Sequence, residues 1–216
     1  MFRKLFGLDK KISAEEEERL ETEWFDRKSK MMETVLGKEH DMVMHALIPY
    51  EVGGTLDLYY YPNGIPGTAI ATKELSYACR DSSTNDQFSQ FELVMFTHQE
   101  LDLNQAKEPD TPFGEAHRTI VSLLNPIARY SEQATLNVGE TLEFPEDFDE
   151  VGGKCLVLDD YGTTKLNDNG FGLLLVIEVY REEMDFARKN SVGALIEKLK
   201  KNGAYPYSDL NRVPVV

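Results

Sequence analysis

FGLLLVIEVY, residues Phe171–Tyr180, is the most hydrophobic run of the chain, and its reading decides the fold. Ten residues rich in valine, isoleucine and leucine are too short to span a membrane and lack the alternation of a half-exposed strand. They predict an interior strand buried on both faces. Such a strand needs cover above and below, and the sequence around it supplies helices. Downstream, REEMDFARKN (Arg181–Asn190) and VGALIEKLKK (Val192–Lys201) read as two consecutive helices that stop at Gly203, leaving 204–216 as an irregular tail.

Upstream of this strand, TPFGEAHRTIVSLLNPIARY starts with Thr111 as a cap and Pro112 at the first helical position. Phe113, Ala116, Ile120, Leu123 and Ile127 recur at helical spacing and define a buried stripe, with His117 on the exposed side and Asn125-Pro126 as a predicted kink or break. Between the two lie an extended GETLEF, an acidic loop PEDFDEVGG (Pro145–Gly153) and a strand KCLVLDD (Lys154–Asp160). Asn167 to Gly170 reads as a turn.

In the first half, Ser13-Ala14-Glu15-Glu16 has capping-box spacing and predicts a helix over 13–36, packed through Leu20, Trp24, Met31 and Val35 and ended by Gly37. Short apolar runs follow: DMVMHALIPY, TLDLYYY and GTAIATKEL. With Gly53-Gly54 as a tight hairpin turn, they predict a three-stranded antiparallel meander. FELVMFT (Phe91–Thr97) adds a strand after the polar stretch CRDSSTNDQ. The expected architecture is one α+β domain over 1–216, a mixed, largely antiparallel β-sheet flanked by helices.

Composition narrows the function. A net charge of -15 on 216 residues repels nucleic-acid backbones and attracts basic proteins. Two cysteines are too few for a disulfide scaffold, no apolar run reaches membrane-spanning length, and Met1–Lys11 has no signal-peptide core, so the expected compartment is the cytoplasm.

Motifs for chemistry are missing. NGIPGTAIATK (Asn63–Lys73) has glycines and a lysine, but the lysine does not follow the second glycine as a phosphate loop requires, so the stretch reads as a turn entering a strand. His40, His45, His98 and His117 lack paired metal-ligand spacing, and KLNDNG (Lys165–Gly170) fails the calcium-loop template. No cofactor or metal is expected. There is no nucleophile elbow. Carboxylates at Glu143, Glu146, Asp147, Asp149, Glu150, Asp159 and Asp160 leave one enzymatic alternative, a hydrolase using a carboxylate pair between Glu143 and Asp160. Eight tyrosines (50, 59, 60, 61, 77, 130, 161 and 180) offer contact area with a polar tip, although tyrosine also simply favours strands.

ARYSEQ (Ala128–Gln133), VGETLEF (Val138–Phe144), FGLLLVIEVYREEMDFARKN and GALIEKLKKNG, in that order, resemble the suppressor of fused family. GGTLDLYYYP, GTAIATKEL, FELVMFT, TPFG and YPYSDL extend the likeness back to about Glu33, with the look of bacterial members. The resemblance implies the amino-terminal domain of the animal proteins, which are non-enzymatic and grip a short peptide of a zinc-finger transcription factor between two domains. It also implies the role of stand-alone bacterial relatives that neutralise toxins as immunity proteins. The family's peptide-contacting positions fall on Tyr130, Glu140 and Asp160, with glutamate at 140 where the family has aspartate. The expected partner is therefore a basic protein or peptide, bound without catalysis, and not nucleic acid or membrane.

Overall fold

A computed structural model describes residues 12–162 and 170–216. The turn expected at Asn167–Gly170, the segment KLNDNG and the opening Met1–Lys11 fall wholly or largely outside them. Helix α1 spans Ala14–Leu36. Ser13 Oγ accepts from Glu16 N at 3.2 Å, and the Gly37 N–H closes the last turn on the Glu33 carbonyl. Strands β1 (Val43–Met44), β2 (Leu58–Tyr61), β3 (Thr68–Ala71) and β4 (Gln90–Thr97) form an antiparallel series. Helix α2 (Pro112–Ser131) leads to β5 (Thr141–Glu143), β6 (Cys155–Asp160) and β7 (Phe171–Val179), then to α3 (Arg181–Lys189) and α4 (Val192–Lys201).

The seven strands make one sheet in the order β1-β2-β3-β4-β7-β6-β5. Every neighbouring pair is antiparallel except β4 and β7, which run parallel with residues 90–94 beside 171–175. All nine residues of β7 are buried, as its composition demands. Alternation divides them: Leu173, Leu175 and Ile177 pack under α1, α3 and α4, while Leu174 and Val176 meet α2. Each such aliphatic side chain contributes about 1.5–3 kcal/mol on leaving water. The same division operates in β2, whose Leu58 and Tyr60 face α2 and whose Tyr59 and Tyr61 face α1.

The Asn63–Lys73 stretch is a turn into β3. Gly67 has φ +86°, and a Cβ there would lie 2.1 Å from the Thr97 carbonyl oxygen; a Cβ on Gly64 would lie 2.1 Å from that of Leu36. These glycines let the turn press against strand β4 and the end of α1. Lys73 is buried, donates to Ser29 Oγ at 2.8 Å and to the Glu39 carboxylate, and lies 4.3 Å over the Tyr59 ring.

Several local expectations change. The buried stripe of α1 is Trp24, Lys28, Met32 and Leu36, with Leu20, Met31 and Val35 only partly buried. Lys28 occupies a core position because Glu92 and the Ser76 carbonyl receive its ammonium at 2.9 Å each. Gly53-Gly54 is not a two-residue hairpin; Gly53 closes a single 3-10 turn over Tyr50–Val52 within a long β1–β2 connection. Helix α2 passes through Pro126 without a break, with Asn125 Nδ2 bonded to the Val121 carbonyl and its Oδ1 accepting from Leu56 N. His117 is buried, not exposed: its Nε2 lies 2.8 Å from Tyr60 Oη, and burial lowers its pKa. The irregular tail is pinned. Tyr207 bridges Phe96, Asp209 accepts from Thr97 Oγ1 and His98 N, and Arg212 binds Glu183 through two nitrogens.

Candidate functional site

Tyr130 lies in the last turn of α2. Its carbonyl accepts from Gln133 N at 3.0 Å and Ala134 N at 2.9 Å, which turns the chain away from the helix. Its ring is left 52% exposed. The tyrosines expected to share in a contact surface do not join it: Tyr50, Tyr59, Tyr60 and Tyr61 are core residues and Tyr77, Tyr161 and Tyr180 are half-buried. Their strand preference and the apolar cover on both sheet faces claim them for packing.

Glu140 follows Gly139, and its carboxylate accepts from Asn137 N at 2.8 Å and Asn137 Nδ2 at 3.0 Å. Its backbone extends the β5–β6 ladder, since Leu158 N donates to the Glu140 carbonyl at 3.0 Å. Two residues along β6, Asp160 stands opposite Leu174 and accepts from Gln87 Nε2 at 3.1 Å.

One loop, residues 83–88, touches Asp160 and residues beside the other two positions, Ser131 and Asn137. Ser83 Oγ meets Ser131 Oγ at 2.9 Å beside Tyr130, Asp86 N donates to Asn137 Oδ1 at 3.0 Å under Glu140, and Gln87 holds Asp160. The three positions therefore lie around this loop. With Asp86 exposed among them, its charge is negative. Such acidic positions beside an exposed ring can orient a cationic segment and offer it an aromatic face.

Glu143 and Asp160, the two ends of the carboxylate range, do not stand as a pair. Glu143 pairs with Cys155 in register, so five strand residues, about 16 Å, separate it from Asp160, beyond the roughly 6.5–9.5 Å of an inverting hydrolase. Hydrogen bonds from Arg181, then Arg188, hold the Glu143 carboxyl below the usual range. Asp159 accepts from Tyr205 Oη at 3.1 Å on the other side of β6, and burial raises its pKa. Among the described residues no three His, Cys, Asp or Glu side chains stand together as a metal-binding group, and no helix is long and apolar enough to cross a membrane.

Two features escape sequence reasoning. Leu47, Ile48 and Val52 are exposed on the β1–β2 connection, where an apolar run reads as buried strand. A cleft of about 340 Å³ lies beside Ser131, between the 74–84 segment and the end of α2, and Tyr50 and Glu132 help to line it.

The family model described as suppressor of fused protein matches residues 55–213. The Sufu–Fu complex crystal structure contains a chain with TM-score 0.60 and 18% identity, covering 91% of this chain and 92% of that one. Drosophila Suppressor of Fused gives TM-score 0.55 at 16% identity over 84% of this chain, which spans 47% of the fly structure. A suppressor of fused homologue from Neisseria gonorrhoeae gives 0.53 at 16%, covering 90% of this chain and 98% of that one. No curated protein matches the chain in sequence.

Proposed function

The chain belongs to the suppressor of fused family, and from that premise we propose that it is a non-catalytic binding domain which masks a basic protein or peptide partner. What supports this reading is that loop 83–88 bonds to Asp160, to Ser131 beside Tyr130, and to Asn137, which holds the Glu140 carboxylate. One exposed ring and a set of carboxylates, held by backbone turns and strand ends, form a fixed acidic surface. An aromatic anchor beside complementary charge is the usual composition of an energetic centre in an interface. The family is one of protein interactions, and the Sufu of the Sufu–Fu structure is in complex with Fu.

A toxin domain is the partner class this reading takes first, with the chain as its cytoplasmic immunity protein. Toxins that act on nucleic acids carry the basic surfaces that a chain of charge -15 would attract. The test is capture of partner from native cell extract by the protein and by its Tyr130→Ala/Asp160→Asn double variant, at low and high salt. Loss of capture in the variant, with unchanged thermal unfolding, supports the surface. Capture at full strength by the variant overturns it.

A further inference from the structure

The outer face of α2 carries a groove made of two depressions, of about 450 and 710 Å³, that lie end to end and share Ser122 and Glu150. Its floor is largely apolar. Met44, Val121 and Pro126 are half-buried there, and Phe148, which rests on Phe144 with ring centroids 5.5 Å apart, is 46% exposed. An uncovered aromatic ring beside half-covered aliphatic side chains is the composition of a contact centre.

The charges along this groove are sorted by sign. Lys107, from the 3-10 turn Gln105–Lys107, and Arg118 stand at the end nearer the start of α2; Asp149 stands at the end nearer Pro126, with Glu150 between them. All four are exposed, and among the described residues none has an ion-pair partner, although Arg118 and Glu150 line the same depression. Arg19, Arg80, Arg129, Arg181, Arg188 and Arg212 each hold a carboxylate of their own chain, so Arg118 stands apart from them. A partner of one sign would match one end of the groove and be repelled by the other. A cationic end and an anionic end on either side of an apolar middle are complementary to the same groove turned through a half-circle.

We propose that this groove is the contact face of a two-fold dimer, in which the α2 helices of two copies cross antiparallel near Ser122, each Arg118 meets Asp149 and Glu150 of the other copy, and the Phe148 rings are buried with their aliphatic neighbours. The net charge of -15 opposes self-association at long range, but beyond about 8 Å that repulsion is screened at physiological salt, whereas the paired charges lie in contact. The proposal is independent of the binding-domain reading. Tyr130 does not line the groove and lies about 12 Å further along α2 than Ser122.

Sedimentation velocity of the whole chain at about 0.15 M salt, over chain concentrations from about 1 to 200 µM, reads the association. The expected result is a reversible dimer. Arg118→Glu and Glu150→Arg each set like charges against one another at both symmetric contacts, and each should weaken it about a hundredfold. An equimolar mixture of the two variants should recover the dimer, because each copy then offers the sign the other lacks. The Arg118→Glu/Glu150→Arg double variant should recover it too. Both side chains are exposed, so thermal unfolding of each variant should match the parent. Glu150 is the position to change because Asp149 has a φ of +21°, which disfavours a long side chain. A monomer at every concentration, a dimer that either single variant leaves intact, or single variants whose mixture stays monomeric overturns the proposal.

Discussion

The Lys28 ammonium donates to Glu92 Oε1 at 2.9 Å with both side chains out of contact with water. The pair is fully provided for: Lys28 also reaches Ser76 Oγ, while Glu92 accepts from Thr72 Oγ1 at 2.7 Å and from the backbone N–H groups of Leu75 and Ser76. It fastens α1 to the segment leaving β3 and to β4 in the middle of the sheet. Lys28→Met should lower stability by about 3–5 kcal/mol, because it strands a carboxylate in the interior. Adding Glu92→Gln should recover part of that loss, since the amide oxygen still accepts from the backbone without carrying charge. Urea unfolding of the two single variants and the double variant measures the coupling directly.

Glu74 predicts a pH effect of its own. Burial, helped by Asp57, Glu92 and Glu51, raises its pKa to about 7, against the lowering influence of Asp57 N at 2.6 Å. The folded state therefore binds a proton more tightly than the unfolded one. That contribution is complete below about pH 4.5 and is lost as pH rises through 7. Allowing for its partial exposure, Glu74→Gln should remove about 1–2 kcal/mol of stability loss between pH 4.5 and 7. Unfolding free energies of both proteins across that window test it; parallel curves would refute the assignment.

Glu183 works in the opposite sense. Burial alone would raise its pKa, yet the paired donors of Arg212 and the N–H groups of Val215 and Tyr180 outweigh it and hold the carboxyl below its usual range. Stability from this group is present above about pH 4.5 and falls as pH drops through the depressed folded value. Arg212→Met should cost about 2–4 kcal/mol at pH 7 and flatten the acid limb of the stability curve. Increased proteolysis after Tyr207 would report release of the tail.

Tyr130→Ala is expected to leave unfolding within about 0.5 kcal/mol of the parent, because the ring is half exposed and its backbone, not its hydroxyl, makes the turn. Thermal melts check this, and it makes any loss of partner capture interpretable as loss of contact.

How far these features could be read in the sequence depends on how local their causes are. The caps at Ser13 and Thr111, the interior strand at 171–179 and the two closing helices rest on short-range signals and appear where expected. The stripe on α1 was displaced because a lysine occupies one of its positions, and only Glu92, far along the chain, makes that tolerable. His117 sits four residues after Phe113 and three before Ile120, so spacing placed it on the buried face and its polarity argued against the spacing. Tyrosine burial was illegible because alternation shows two faces without showing that both are covered. Of the candidate site, the positions came from family likeness; the loop that gathers them is held by Asn, Gln and Ser contacts with no sequence periodicity.

The parallel join of β4 to β7 also governs the order of assembly. Strand β4 emerges together with its antiparallel neighbour β3, but its other edge must wait until α2, β5 and β6 have been made. A nascent chain therefore carries a long apolar strand with an open rim for much of its synthesis. High contact order of this kind slows folding, and the open edge stays exposed to mispairing with other polypeptides until the last strand arrives.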